Sequence, residues 1–141
     1  IRAQAMSTAP PNFYASLSVA LGGGIGALLR YQLGRMMTRW LGPEIIGTFP
    51  FATLAVNAVG SLAMGLLAGW LAHRAGGGEQ SRLLLGVGLL GGFTTFSAFS
   101  LEMAMLIQRG QVGLAGIYAL LSLALGVTGL IFGLAVARIG A

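Results

Sequence analysis

Thr53, Asn57 and Ser61 recur at intervals of four, which places all three on one face of a helix. An Asn amide carries two N–H donors and a carbonyl acceptor. Inside an apolar helix that amide is costly unless partnered. It therefore serves either as hydrogen-bonded glue between helices or as the lining of a polar path. Tyr118 and Ser122, also four apart, add hydroxyls to one face near the end of the chain, and Gly126, Gly129 and Gly133 continue it with small residues. Between these segments runs Gly91-Gly92-Phe93-Thr94-Thr95-Phe96-Ser97-Ala98-Phe99-Ser100-Leu101-Glu102. Paired glycines followed by two β-branched threonines are poor helix material and predict a break over 91–95. A break at membrane depth frees backbone groups, tolerated only where they are buried in protein or line a cavity. Carbonyls freed in this way suit cations, and helix N-termini favour anions. Phe96 and Phe99 roughly share a face. They are either core or a source of positive ring edges for a small anion.

Other candidates are weaker. Gly22-Gly23-Gly24-Ile25-Gly26 has no following Lys and no strand before it, so it is a close-packing surface rather than a phosphate loop. Arg30 lies deep enough in its apolar stretch to need a partner or a water-filled vestibule, where it could draw anions to a pore mouth. Glu102, at the polar end of its span, is expected to pair with an Arg or cap a helix. One His, three acidic residues and no Cys leave little for zinc or a carboxylate pair, and exclude disulfides and thiol chemistry.

The elements that must hold these residues are membrane helices. Only 8% of the 141 residues are charged, against about 25% in soluble domains, and 56% are apolar. A soluble domain of this size has too much surface for so few charges, which excludes a soluble globular enzyme. The basic residues are scattered arginines beside long apolar runs, so no nucleic-acid-binding face exists. Residues 45–72, 83–101 and 110–137 are free of charge. Each run meets the roughly 20 residues needed to span about 30 Å of hydrocarbon. The stretch 13–29 continues through Arg30 toward Trp40; a signal peptide fits it poorly, because no basic cluster precedes it and Arg35 and Arg39 keep helical spacing.

Four spans are thus predicted at about 14–38, 47–74, 82–108 and 112–138, within one membrane domain over 14–138. Residues 1–13 form a flexible lead-in. Leu41-Gly42-Pro43-Glu44, Ala75-Gly76-Gly77-Gly78-Glu79-Gln80 and Arg109-Gly110-Gln111 are the connections. Arg2, Arg74, Arg82 and Arg138 fall on one side of the membrane. Arg35, Arg39 and Arg109 fall on the other, with Arg30 deeper. This near balance gives almost no orientation signal, as expected of a weakly oriented chain or of one that inserts both ways and pairs head to tail.

Three segments carry a family resemblance. Gly23-Gly24-Ile25-Gly26-Ala27-Leu28-Leu29-Arg30-Tyr31 resembles the first-span signature of the Fluc/CrcB family of fluoride channels. Thr53-Leu54-Ala55-Val56-Asn57-Ala58-Val59-Gly60-Ser61 is similar to its second-span motif, and 91–102 to its third, the most specific. The resemblance covers nearly the whole chain from about residue 16. It implies an all-α integral membrane protein with four transmembrane helices, the third broken mid-membrane, assembled as an antiparallel dual-topology homodimer with two fluoride pores. It implies a structural Na⁺ at the dimer centre, held by the backbone carbonyls of Gly91 and Thr94. It matches Asn57, Phe96 and Phe99 to the fluoride path, joined by Thr53, and Tyr118 and Ser122 to a polar track. The family track often adds a hydroxyl one turn later, where this chain has Gly126. The implied activity is passive export of fluoride across the bacterial cytoplasmic (inner) membrane. The alternatives are a structural membrane protein, a small exporter of organic cations, for which Glu102 is the only candidate for the membrane-embedded carboxylate it would need, and a proton-coupled fluoride transporter.

Overall fold

The computed structural model describes residues 11–74 and 78–140. Most of the expected lead-in, residues 1–10, and the centre of the second connection, residues 75–77, lie outside the described residues. The described residues are mainly helical and contain no strand. Helix α1 is Pro11–Leu41, α2 Pro43–Thr48 and α3 Phe51–Ala72. The third span opens with α4, Gly78–Ser81, continues as a wider π-type turn over Arg82–Leu90, and closes with α5, Gly91–Phe93, and α6, Phe96–Gln108. Helix α7 is Val112–Ile139. Four helical stretches are long and apolar enough to cross a membrane: Asn12–Leu41, Phe51–Ala72, Gly78–Gln108 and Val112–Ile139. This is the architecture of a multi-pass membrane protein.

Helix boundaries differ from the sequence expectation for local reasons. Proline is compatible with the first helical turn, so α1 starts at Pro11. It runs on to Leu41 and stops where Gly42 adopts φ 86°, a conformation that suits glycine. Pro43 then starts a short helix inside what was expected to be a loop. The second span begins at Phe51 rather than 47, because Phe49 and Pro50 are non-helical.

The four spans pack as two helix pairs. Helices α3 and α7 meet backbone to backbone: a Cβ on Gly65 would strike the Leu130 carbonyl, and one on Gly133 the Leu62 carbonyl. Helix α1 meets the third span in the same way. A Cβ on Gly22 would meet the Leu84 carbonyl, one on Gly26 the Leu89 carbonyl, and one on Gly92 the Gly23 carbonyl. Lipid offers helices no hydrophobic driving force to associate, so such close van der Waals approach is what holds them together. The buried apolar core is small, comprising Phe49, Val56, Leu90, Leu106, Ala115 and Tyr118. Most other large apolar side chains face outward, as a lipid-solvated surface requires.

Candidate fluoride pathway

The third span is interrupted at two residues. Thr94 (φ −80°, ψ 157°) and Thr95 (φ −151°, ψ 122°) are extended, whereas Gly91–Phe93 remains helical, so the interruption is narrower than the expected 91–95. The Thr94 N–H and hydroxyl both donate to the Leu90 carbonyl, closing α5. The Thr95 hydroxyl accepts from the Ala98 N–H at 3.2 Å and caps α6. Asn57 brackets the backbone of Thr95, which has no helical partners, from α3. Its Nδ2 donates to the Thr95 carbonyl at 3.0 Å, and its Oδ1 accepts from the Thr95 N–H at 2.8 Å. The Asn amide is therefore partly helix glue, and one of its two N–H donors remains.

Asn57 also lines an open cavity of about 560 Å³ together with Ser61, Phe96, Phe99, Ser122 and Gly126. A second cavity of about 290 Å³ shares Asn57, Ser61 and Phe96 and reaches Thr94. The Ser122 hydroxyl is buried and has no hydrogen-bond partner. Ser61, on α3, lies across from the gap at Gly126: a Cβ there would sit 3.5 Å from Ser61 Oγ. A hydroxyl on the facing helix thus occupies the level where α7 lacks one. Phe96 is 78% exposed, with its ring centroid 5.7 Å from that of Phe99. Phe99 packs on the ring of Tyr118 at 5.0 Å.

Thr53 and Tyr118 do not face this cavity. The Thr53 hydroxyl donates to Glu102 Oε1 at 2.6 Å, and the fully buried Tyr118 hydroxyl donates to Glu102 Oε2 at 2.7 Å. The expectation that Glu102 pairs with an Arg or caps a helix is corrected. Its carboxylate accepts from two hydroxyls, one on α3 and one on α7. Spacing along α6 alone could not show this, since the donors come from other helices. Arg109 instead donates to the Gly47 carbonyl. Arg30 is half-buried and donates Nη1–H to the Thr94 carbonyl at 3.4 Å, and it lines a small cavity with Thr53 and Thr95.

The Na⁺ implied for Gly91 and Thr94 can be tested against this geometry. The Thr95 N–H that an unbroken helix would give to the Gly91 carbonyl is bonded to Asn57 instead. The Thr94 carbonyl has left the helical direction and receives only the long Arg30 contact. Two neutral carbonyl oxygens relieved of helical bonding are the donor type a hard cation accepts, and the residues fit. Among the described residues no group of three or more His, Cys or acidic side chains could hold a metal ion.

A family model described as CrcB-like protein, Camphor Resistance (CrcB), matches residues 17–134. The protein named Fluoride-specific ion channel FluC in Erythrobacter litoralis is 57% identical over 135 residues, covering 95% of this chain and 98% of the relative. The protein of the same name in Novosphingobium aromaticivorans is 61% identical over 124 residues, covering 88% and 96%. That of Phenylobacterium zucineum is 54% identical over 125 residues, covering 88% and 95%. These relatives bear the name of a channel, not of an enzyme. The match spans all four membrane helices and the Asn57–Thr95 bracket, and the chain belongs to the CrcB-like family.

Proposed function

We propose that this chain is a passive fluoride-selective channel that exports cytoplasmic fluoride across the bacterial inner membrane. The names of its relatives support fluoride as the ion. The observation that carries the reading is the groove in which the spare Asn57 donor, the unpartnered Ser122 hydroxyl and the Phe96 and Phe99 rings meet. Fluoride is small and strongly hydrated, so it enters a dry path only where donors replace its water. Asn57, Ser61 and Ser122 supply N–H and O–H donors, and the rings supply positive edges. Helix α6 starts at this groove, and the field at a helix N-terminus also favours an anion.

The working unit is an antiparallel dual-topology homodimer with two pores. The groove is open in one subunit, and polar groups facing lipid are costly. A second copy covers it, and the near-balanced arginines let copies insert both ways. The interruption at Thr94–Thr95 then lies at mid-membrane, where the carbonyls of Gly91 and Thr94 from both subunits would hold Na⁺. Such an ion supplies structural cross-linking rather than transport. Arg30 forms part of an anion-attracting vestibule.

Purified protein in liposomes should release fluoride rapidly and chloride far more slowly, at a rate unchanged by a pH gradient. Equal fluoride and chloride efflux overturns selectivity, and efflux that follows the proton gradient makes the protein a coupled transporter. The sodium site has its own readout. Exchanging Na⁺ for N-methylglucamine should lower the dimer's melting temperature, because an ion bound only to the folded form stabilises it by mass action. Thr94→Ser should keep the sodium dependence, since the carbonyl and not the side chain binds. A melting temperature indifferent to Na⁺ would remove the ion from the dimer centre.

A further inference from the structure

We propose that a notch on the C-terminal half of α1 binds the phosphate group of an anionic phospholipid. Two adjacent rows of the helix form it: Arg30, Gly34 and Thr38 on one, Tyr31, Arg35 and Arg39 on the other. These six residues line an open cavity of about 500 Å³. Gly34 makes the depression, since a Cβ there would meet nothing within 4 Å. Three of the lining residues are arginines and none is acidic. The single ion pair among the described residues, Arg82–Glu79, lies elsewhere, so the charges of Arg35 and Arg39 are uncompensated. Arg39 stands in the last turn, where a cation offsets the helix dipole; Arg35 is a turn further back, where that field has faded. The Arg35 guanidinium sits 5.8 Å from the Tyr31 ring centroid, which steadies it at the rim.

Guanidinium forks match phosphate oxygens in pairs, and such clusters at the ends of membrane helices suit lipid headgroups. The surroundings favour lipid over a dissolved anion. Trp40 is 75% exposed and Tyr31 61% exposed, the pattern of aromatic residues at headgroup level. Helix α1 is ~46 Å long at 1.5 Å per residue, so its last turns reach beyond ~30 Å of hydrocarbon. Met36 and Leu41 offer apolar surface beside the notch for an acyl chain. Arg30 is shared with the vestibule beside Thr94, whereas Arg35 and Arg39 line neither cavity at Asn57, and lipid occupancy there is read without measuring transport.

The test is native mass spectrometry of the detergent-purified protein, offered dioleoylphosphatidylglycerol, dioleoylphosphatidylcholine or inorganic phosphate. Wild type should retain phosphatidylglycerol in preference to phosphatidylcholine. The R35Q/R39Q double variant, altered only at exposed positions, should retain phosphatidylglycerol roughly tenfold or more weakly at unchanged oligomer mass. R138Q, at the exposed end of α7, should behave as wild type. Equal phosphatidylglycerol retention by wild type and R35Q/R39Q overturns the proposal. Retention of inorganic phosphate that excludes the lipid also overturns it and gives the notch to a dissolved anion.

Discussion

Asn57→Asp is expected to abolish fluoride efflux and to weaken the fold at the same time. The substitution replaces the Nδ2 donor, which holds the Thr95 carbonyl at 3.0 Å, with an oxygen. Two acceptors then face each other across a contact in which Thr95 is buried. Leaving a buried backbone acceptor unpaired costs about 1–3 kcal/mol, visible as a lower melting temperature. The new carboxylate also lies on the wall of the groove. Two like charges ~4 Å apart at an effective dielectric of ~20 repel by ~4 kcal/mol, or roughly a thousandfold in rate. The assay is fluoride efflux from liposomes carrying equal amounts of gel-filtered protein, with thermal denaturation alongside. A variant that melts lower yet conducts normally would confine Asn57 to bracketing the interruption and remove it from the path.

Phe96→Ile and Phe99→Ile should both lose most of their conduction while differing in stability. Ile keeps apolar bulk but has no positive ring edge. Phe96 is 78% exposed in the single chain, so its replacement should leave the melting temperature of that fold nearly unchanged. Phe99 packs on Tyr118, whose hydroxyl is tied to Glu102, so the same change there should cost about 1 kcal/mol or more. Loss of flux in Phe96→Ile at native stability would separate contact with the ion from packing. Near-native flux in both variants would return the rings to core and lipid-facing roles.

Much of this was legible in the sequence because membrane helices are written in long uncharged runs, and close helix packing in glycine. The face shared by Thr53, Asn57 and Ser61 lies on α3 as its spacing predicts, and Gly22 and Gly26 are packing glycines. Other features depend on contacts between helices and leave no local trace. The π-type stretch Arg82–Leu90 has the composition of an ordinary apolar helix, and its Gly91 N–H reaching back to the Gly86 carbonyl has no sequence signature. Phe49 and Pro50 divided a run whose hydropathy looked continuous. Glu102 gave no sign of its partners, since Thr53 and Tyr118 are distant in sequence. The one near miss is Ser61, recognised on the Asn57 face but not assigned to the path. Only its position opposite Gly126 shows that the two helices complement each other.

The glycine contacts between α1 and the third span invert the usual relation between depth and mutational tolerance. In a water-soluble domain, buried positions accept other apolar residues of similar volume, and the surface accepts polar ones. Here the outward side chains of α1, such as Leu21, Ile25 and Leu28, are more than half exposed and can exchange among oily residues. Gly22, Gly26 and Gly92 have no conservative replacement, because even a methyl group at any of them collides with a carbonyl across the interface. Genetic drift is thus channelled to the lipid-facing stripe, and divergence of sequence there leaves the helix spacing untouched. A single added carbon at the seam forces two backbones apart, and the Thr94–Thr95 peptides move with them.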